Sequence, residues 1–363
     1  MQWNWQHAEW PEFRFDPAAT EALERDFLMK SGSLLGASSH LSDDDRNQIR
    51  VQLLSDEALL TSRIEGELLD RDSLQSSIQR QLGLKADQRQ VGPAERGIAE
   101  LLIDAYRRFD QPLDAARLCR WHGMLMQGRR DIEVGAFRRG GDPMRIVSGP
   151  IHDPHVHYEA PPAARVPAEI ESFFVWWTGP GGALPCLARA SLAHLHFESI
   201  HPFEDGNGRI GRALSELAVS QSLGQPVILA LSRVIDADRG RYYGELARAS
   251  RSLEAGPWIA YVSDAICRAQ ELSLRSVEFL VSKFRFFERF RDAMNPRQEK
   301  VLLRMFREGP GGFKGGLSSA NYRAIANTST ATATRDLAAL VRLGALVRTG
   351  DFKHSRYHLN LGK

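Results

Sequence analysis

Twelve residues in the middle of the chain restrict its fold more than any other stretch: His201-Pro202-Phe203-Glu204-Asp205-Gly206-Asn207-Gly208-Arg209-Ile210-Gly211-Arg212. The sequence reads as helix on both sides, over Pro185–Ser199 before and Arg209–Leu223 after, with Gly224 and Pro226 as stop signals. Gly206 and Gly208 flank Asn207 immediately before the second helix starts. The first amides of a helix have no partner within it, and the dipole places partial positive charge there. A glycine-lined turn at that point is therefore an anion site that phosphate can approach closely. Arg209 and Arg212 are three apart and project together, whereas Ile210, Leu214 and Leu217 form another side suited to a core. A guanidinium group grips phosphate with a planar fork and keeps its charge. Asp205 sets a hard carboxylate beside such phosphates, as suits a Mg²⁺ that keeps most of its waters. His201 closes the preceding helix with an imidazole, a group that ordinarily titrates near ~6.5 and accepts a proton near neutral pH. Each piece alone has a bland reading as a connector, a solvated arginine pair or a core histidine. Together within twelve residues they read as a nucleotide-phosphate cradle with a base beside it.

The stretch resembles the Fic signature His-x-Phe-x-Asp/Glu-Gly-Asn-Gly-Arg-x-x-Arg and matches it at every specified position. The resemblance implies a mainly α fold, with a Fic-type helical core and a β-hairpin flap. It implies a transfer of AMP from ATP to a Ser, Thr or Tyr hydroxyl of a protein. His201 would deprotonate the hydroxyl, Asp205 would bind Mg²⁺, and Gly206, Asn207, Gly208 and Arg209 would hold the α- and β-phosphates, with Phe203 as a buried anchor. Such a displacement runs on positioning and charge stabilisation, so it needs no covalent nucleophile. Three other readings stay open: removal of AMP, transfer of UMP or phosphocholine, and a DNA-associated regulator whose core only senses nucleotide. The imidazole favours an enzyme, since a sensor has no need of a base.

Further segments resemble parts of the same family. Glycines and prolines punctuate Gly135–Pro162 and leave short stretches, Met144–Ser148 and Val156–Tyr158, that read as a hairpin. Met144–Gly149 with Tyr158 resembles the Fic flap, which pairs with a target backbone as an added strand and lies over the nucleotide. That resemblance assigns Val147, Ser148 and Gly149 to the nucleotide. Arg239, Tyr242 and Tyr243 resemble an Arg-x-x-Tyr-Tyr element near adenine and ribose, although Ser250 stands where the family often has Asn. His152, His155 and His157 crowd six residues; lacking Cys, a fourth ligand or an i,i+4 frame, they read as flap decoration rather than a zinc site. Thr61-Ser62-Arg63-Ile64-Glu65-Gly66 resembles the inhibitory motif Ser/Thr-x-x-x-Glu-Gly/Asn. The resemblance implies that Thr61 and Glu65 are the inhibitory residues, and that Glu65 pairs with Arg212 and occupies the guanidinium meant for the γ-phosphate.

Composition bounds the rest. With 43% apolar and 25% charged residues over 363, the chain can bury sizeable cores. Its apolar runs fall short of the ~20 residues of a membrane span, and its first residues have neither a basic nor an apolar leader region, so a cytoplasmic protein is expected. Cys119, Cys186 and Cys267 form no Cys-x-x-Cys pair, against a disulfide frame or thiolate zinc site. Residues 295–363 hold 12 Lys and Arg against 4 Asp and Glu, which leaves about −6 on the first 294. There Asn321–Asn327, Thr328–Thr330, Ala331–Leu343 and Gly344–Leu359 read as helix, turn, helix and hairpin, a small α/β winged helix whose charge suits DNA, with protein docking, dimer contacts or substrate holding as the open alternatives. The expected division is a helical region with the inhibitory motif over 1–96, a catalytic core over 97–285 and a winged helix over 294–363. Ser42 and Asp43, Asp44 and Asp45 start a helix that ends near Gly66, and further helices are expected over Ala99–Phe109 and Ala115–Met126. Trp3, Trp5, Trp10, Phe13 and Phe15 follow no helical period and read as an irregular strap anchored on the body. The partners expected are ATP, a protein target on the flap, the chain itself as a substrate and a homodimer.

Overall fold

A computed structural model describes residues 2–38, 42–148, 155–309, 312–351 and 354–361. The chain forms two compact units, one from Met1–Leu35 and Arg50–Ser273, the other from Gly36–Ile49 and Leu274–Lys363. Helices dominate both, in chain order α1 (Glu21–Ser38), α2 (Asp43–Ile64), α3 (Arg71–Gln81), α4 (Pro93–Arg107) and α5 (Ala115–Leu125). A hairpin of β1 (Arg145–Ser148) and β2 (His155–Glu159) follows, then α6 (Val166–Thr178), α7 (Cys186–Ile200), α8 (Asn207–Leu223), α9 (Leu231–Ala237) and α10 (Arg239–Ala249). Next come α11 (Gly256–Phe290), α12 (Pro296–Arg307), α13 (Ser319–Ala326), α14 (Thr330–Arg342) and a second hairpin, β3 (Leu346–Thr349) with β4 (Arg356–Leu359).

The first unit is built around α7, whose residues are all buried. A helix without a polar side belongs in the middle of a protein. Leu192, Leu195, Phe197 and Ile200 of α7 share one core with Ile210, Leu214 and Leu217 of α8. Val51, Leu54, Ala58 and Ile64 of α2 belong to that same core, so the helix with the inhibitory motif is packed into the body that carries the signature. Polar groups drawn into this interior are tied: Arg189 donates to Gln221 at 2.7 Å, and the Trp258 indole donates to the Ser191 carbonyl at 2.8 Å.

Several element starts differ from the sequence expectation. α4 begins at Pro93 rather than Ala99, because proline at a first helical position loses no hydrogen bond. α8 begins at Asn207, where Gly206 at φ 79° turns the chain into the helix. The helices α1, α3, α9 and α12 went unforeseen; α3 is mostly polar and hides only Leu74 and Ile78 as apolar residues, four apart. Its start is marked instead by Asp70, whose side chain accepts from the Ser73 amide at 2.8 Å. The aromatic strap behaves as expected. Trp3 meets Tyr158 edge to face at 5.1 Å, Trp5 donates to the Glu159 carbonyl at 2.7 Å and Trp10 to Glu169 at 2.7 Å. The strap thereby holds the base of the first hairpin.

In the second unit, Val301, Leu302 and Met305 of α12 pack with Tyr322 of α13, Leu337 and Leu340 of α14, and Leu346 of β3. Buried Asp336 accepts from the Tyr322 hydroxyl at 3.0 Å and from Arg297 at 3.2 Å, tying α12, α13 and α14 together. β3 and β4 pair antiparallel, Leu346 opposite Leu359, and Leu317 adds a bridge to Tyr357. Among the described residues no helix is long and apolar enough to cross a membrane.

Candidate active site

The turn between α7 and α8 is held from several sides. His201 ends α7 in the left-handed region, at φ 48° and ψ 62°, with its amide on the Phe197 carbonyl at 2.9 Å. Few residues other than glycine adopt that conformation, and the surroundings enforce it here. Arg138, buried, donates to the carbonyls of His201 at 2.7 Å, Pro161 at 2.6 Å and Ile200 at 3.3 Å. A guanidinium at a helix C-terminus satisfies carbonyls that the helix cannot. Phe203 is fully buried and stacks on His122 with ring centroids 4.2 Å apart, which confirms its place as an anchor. The Asn207 side chain folds back on the turn, accepting from the Phe203 amide at 3.0 Å and donating to the Phe203 carbonyl at 2.8 Å. Asn207 is therefore left with its backbone to offer a phosphate.

Both arginines of the signature are engaged by carboxylates from the end of α2. Arg212, 1% exposed at its side chain, donates to Glu65 at 2.8 Å, to the Thr61 hydroxyl at 2.8 Å and to the Thr61 carbonyl at 2.9 Å. Arg209 donates to Glu67 at 2.6 Å and lies 3.6 Å from Asp205. The Glu65 carboxylate sits directly over Gly208, where an added Cβ would stand 2.3 Å from its Oε1. A carboxylate thus stands against the anion site at the start of α8. Two buried donors beside it, Nη1 of Arg212 and Nε of Arg209, have no hydrogen-bond partner. Burial works against the charge of Arg212, yet Glu65, Tyr242 and Glu198 together outweigh it and raise its pKa above the ordinary value. Burial also depresses His122 and His194 to about 4, so both are neutral at pH 7. Asp205 accepts from Arg129 at 2.8 Å.

A cavity of about 490 Å³ opens above the turn, lined by Glu65, Glu198, His201, Asp205, Gly208 and Tyr242 among others. Its size suits a small organic ligand. Ile146, His157 and Tyr158 of the hairpin border it on one side, and Tyr243 and Ser250 on another. Signature, inhibitory motif, tyrosine pair and hairpin therefore converge. Val147 pairs with Val156 in the hairpin and is half exposed without lining the cavity; Ser148 pairs with His155, while Gly149 and His152 lie outside the described residues. His155 and His157 meet edge to face, and the described residues contain no cluster of three metal-ligating side chains. Tyr242 is buried with its hydroxyl 3.0 Å from Nε2 of His194. Arg239 faces elsewhere and pairs with Asp236 at 2.9 Å, a carboxylate shared with Arg63 of α2. Four residues escaped the sequence reading: Glu67, Arg129, Arg138 and Glu198. Only Glu198, one helical turn before His201, had a spacing that could have exposed it.

Residues 3–84 match a domain of unknown function, DUF4172, and residues 112–219 match the Fic/DOC family. Protein adenylyltransferase fic-1 of Caenorhabditis briggsae is 36% identical over 81 residues, 22% of this chain and 15% of that protein. The same protein of Caenorhabditis elegans is 36% identical over 77 residues, 21% of this chain and 14% of that protein. The matched segment thus spans about a seventh of those relatives' length. A crystal structure of a Fic family protein from Desulfovibrio desulfuricans G20 superposes with TM-score 0.53 at 23% identity, covering 96% of this chain and 98% of that one. A Fic domain containing signaling protein from Bacteroides thetaiotaomicron superposes with TM-score 0.53 at 18% identity, covering 70% and 97%. The architecture is that of the Fic fold. Residues 112–219, similar to the Fic/DOC family, sit on that fold.

Proposed function

We propose that this chain is a protein adenylyltransferase held in a restrained state by its own α2 helix. The carrying observation is the Glu65 carboxylate, which is bonded to Arg212 over Gly208 and lines one cavity with His201. A carboxylate against an anion site marks where phosphate would bind, and the two buried, unpartnered guanidinium donors add capacity there. In the reaction the acceptor hydroxyl loses its proton to His201 and its oxygen bonds to the α-phosphorus. The bond to pyrophosphate breaks and takes its electron pair. Asp205, a carboxylate that lines the cavity, would hold a Mg²⁺ that keeps most of its waters, and the ion would supply neutralising charge to the phosphates. Arg129 would have to release Asp205 first. Glu65 beside His201 also suits activation of a water that removes AMP, the converse activity of the same site.

The test is incubation of purified Glu65→Gly protein with Mg²⁺ and ATP labelled at the α-phosphate, alone and with cell extract. Label on protein that vanishes in a His201 variant supports transfer. Nucleotide binding with no labelled protein under any condition removes the reading.

The restraint has two prongs. Gly66 at φ 83° turns the chain so that Glu65 and Glu67, two apart, reach Arg212 and Arg209, three apart on α8. Glu67 is 37% exposed, so screening weakens its pair to about 0.5–1 kcal/mol. Adding Glu67→Gln to Glu65→Gly is expected to raise the rate a further two- to fivefold, roughly that energy converted. Initial rates of the double and single variants check it, and equal rates make the contact incidental.

We further propose that the second unit is a winged helix that holds duplex DNA. On α14, Thr330, Thr334, Arg335 and Arg342 are exposed, as is Arg348 on β3. Short hydroxyls and arginines of this kind meet phosphates and groove edges. Affinity for a labelled duplex, followed by anisotropy, should fall about tenfold or more between 50 and 200 mM KCl. Binding that is absent or indifferent to salt assigns the surface to a protein instead.

A further inference from the structure

Glu198 lies one turn before His201 on α7, and its Oε2 stands 3.5 Å from Nδ1 of the imidazole. Its side chain is 6% exposed. Both groups are sealed there: Nδ1 of His201 and Oε1 of Glu198 are buried and have no hydrogen-bond partner, so the 3.5 Å approach of Oε2 is the contact that Nδ1 has. A carboxyl in such a place tends to protonate, because burial penalises its charge. Burial is indeed the largest influence on Glu198, but His201, His194 and Arg212 together outweigh it and hold the carboxyl below its usual range. The titratable groups around it are His194 and His201 on its own helix, Arg212 on α8, Tyr242 and Tyr243 on α10, and Tyr158 on β2. Gly211 makes room for it, since a Cβ there would come within 2.7 Å of Oε1.

We propose that Glu198 is a positioning residue for His201: its carboxylate accepts the Nδ1–H and so leaves Nε2 bare toward the cavity. The ring lines the cavity while Nδ1 is buried, so Nε2 is the nitrogen left to meet an acceptor hydroxyl. An imidazole whose far nitrogen is held by a carboxylate has one tautomer and one orientation, and the carboxylate stabilises the imidazolium once the proton arrives. The proposal rests on reading His201 as the base, and its first test does not depend on activity.

That test is ¹⁵N NMR of the histidine rings in the unaltered protein, with the His201 signals assigned by their loss in His201→Asn. The expected spectrum has a protonated Nδ1 and a bare Nε2. A His201 ring protonated at Nε2 alone overturns the proposal, whatever the enzyme does. The second test is kinetic, in the Glu65→Gly background. Glu198→Gln keeps an acceptor for Nδ1–H but removes the charge, so kcat should fall at least tenfold with KM for ATP changed less than twofold. The sign of the pH effect follows: without the carboxylate the imidazolium is less stable, so the acidic limb of the rate profile moves to lower pH. A variant with an unmoved limb and unchanged ring signals, differing only in melting temperature, would show a merely structural glutamate. If no variant transfers AMP while the ring signals are as expected, the assigned reaction fails and the pairing stands.

Discussion

Replacing His201 is expected to lower the proposed AMP transfer by about 10²–10⁴-fold, the range that a positioned general base contributes. The choice of substitute matters here because of the backbone. His201 holds φ 48°, a conformation that penalises alanine and that asparagine tolerates, so His201→Asn separates chemistry from folding better than His201→Ala. In His201→Asn the turn should persist, since Arg138 grips the carbonyls of residues 200 and 201 and Asn207 closes the loop through Phe203, none of it through the ring. ATP affinity should stay within about threefold while the rate collapses. Calorimetric titration and initial rates measured on one preparation check both. Loss of binding and rate together would mean the ring was part of the scaffold.

Glu65→Gly is expected to raise the proposed transfer rate by about 10–100-fold. Arg212 is 1% exposed and Glu65 31%, so their charge-assisted hydrogen bond is largely withdrawn from solvent and worth about 1.5–3 kcal/mol. Each 1.36 kcal/mol is a factor of about ten. Removal of the carboxylate also empties the space over Gly208, where the first amides of α8 meet an anion. Arg212 keeps its two bonds to Thr61 and so stays in place when Glu65 goes. The motif's two residues thus divide the contacts: Thr61 takes Nε through its hydroxyl and Nη2 through its carbonyl, and the Glu65 carboxylate takes Nη2. A rate unchanged in Glu65→Gly, with ATP bound as tightly as before, would leave the contact as a packing feature.

The cradle was legible because its parts are neighbours in sequence. A helix start, two glycines and arginines three apart impose their geometry locally, whatever the rest of the chain does. The hairpin and the cap at Ser42 were readable for the same reason, the latter observed as the Ser42 hydroxyl accepting from the Asp45 amide at 3.1 Å. Helix α3 was not, since eleven mostly polar residues carry almost no periodic signal and owe their order to Leu74 and Ile78 in a shared core. Arg239 shows the opposite error. The Arg-x-x-Tyr-Tyr pattern grouped it with the tyrosines, but one helix presents three residues in different directions, and Arg239 turned to Asp236.

By itself the sequence determined a helical protein with a phosphate-shaped turn and a base next to it, since adjacent residues on one helix start have little freedom in how they face. Which groups hold that turn and occupy it, Arg138 on the carbonyls, Glu67 on Arg209 and Glu198 behind His201, was decided only by tertiary structure. Charges far apart or unremarked in the chain acquire a partner only where packing excludes water and leaves no other group to satisfy them.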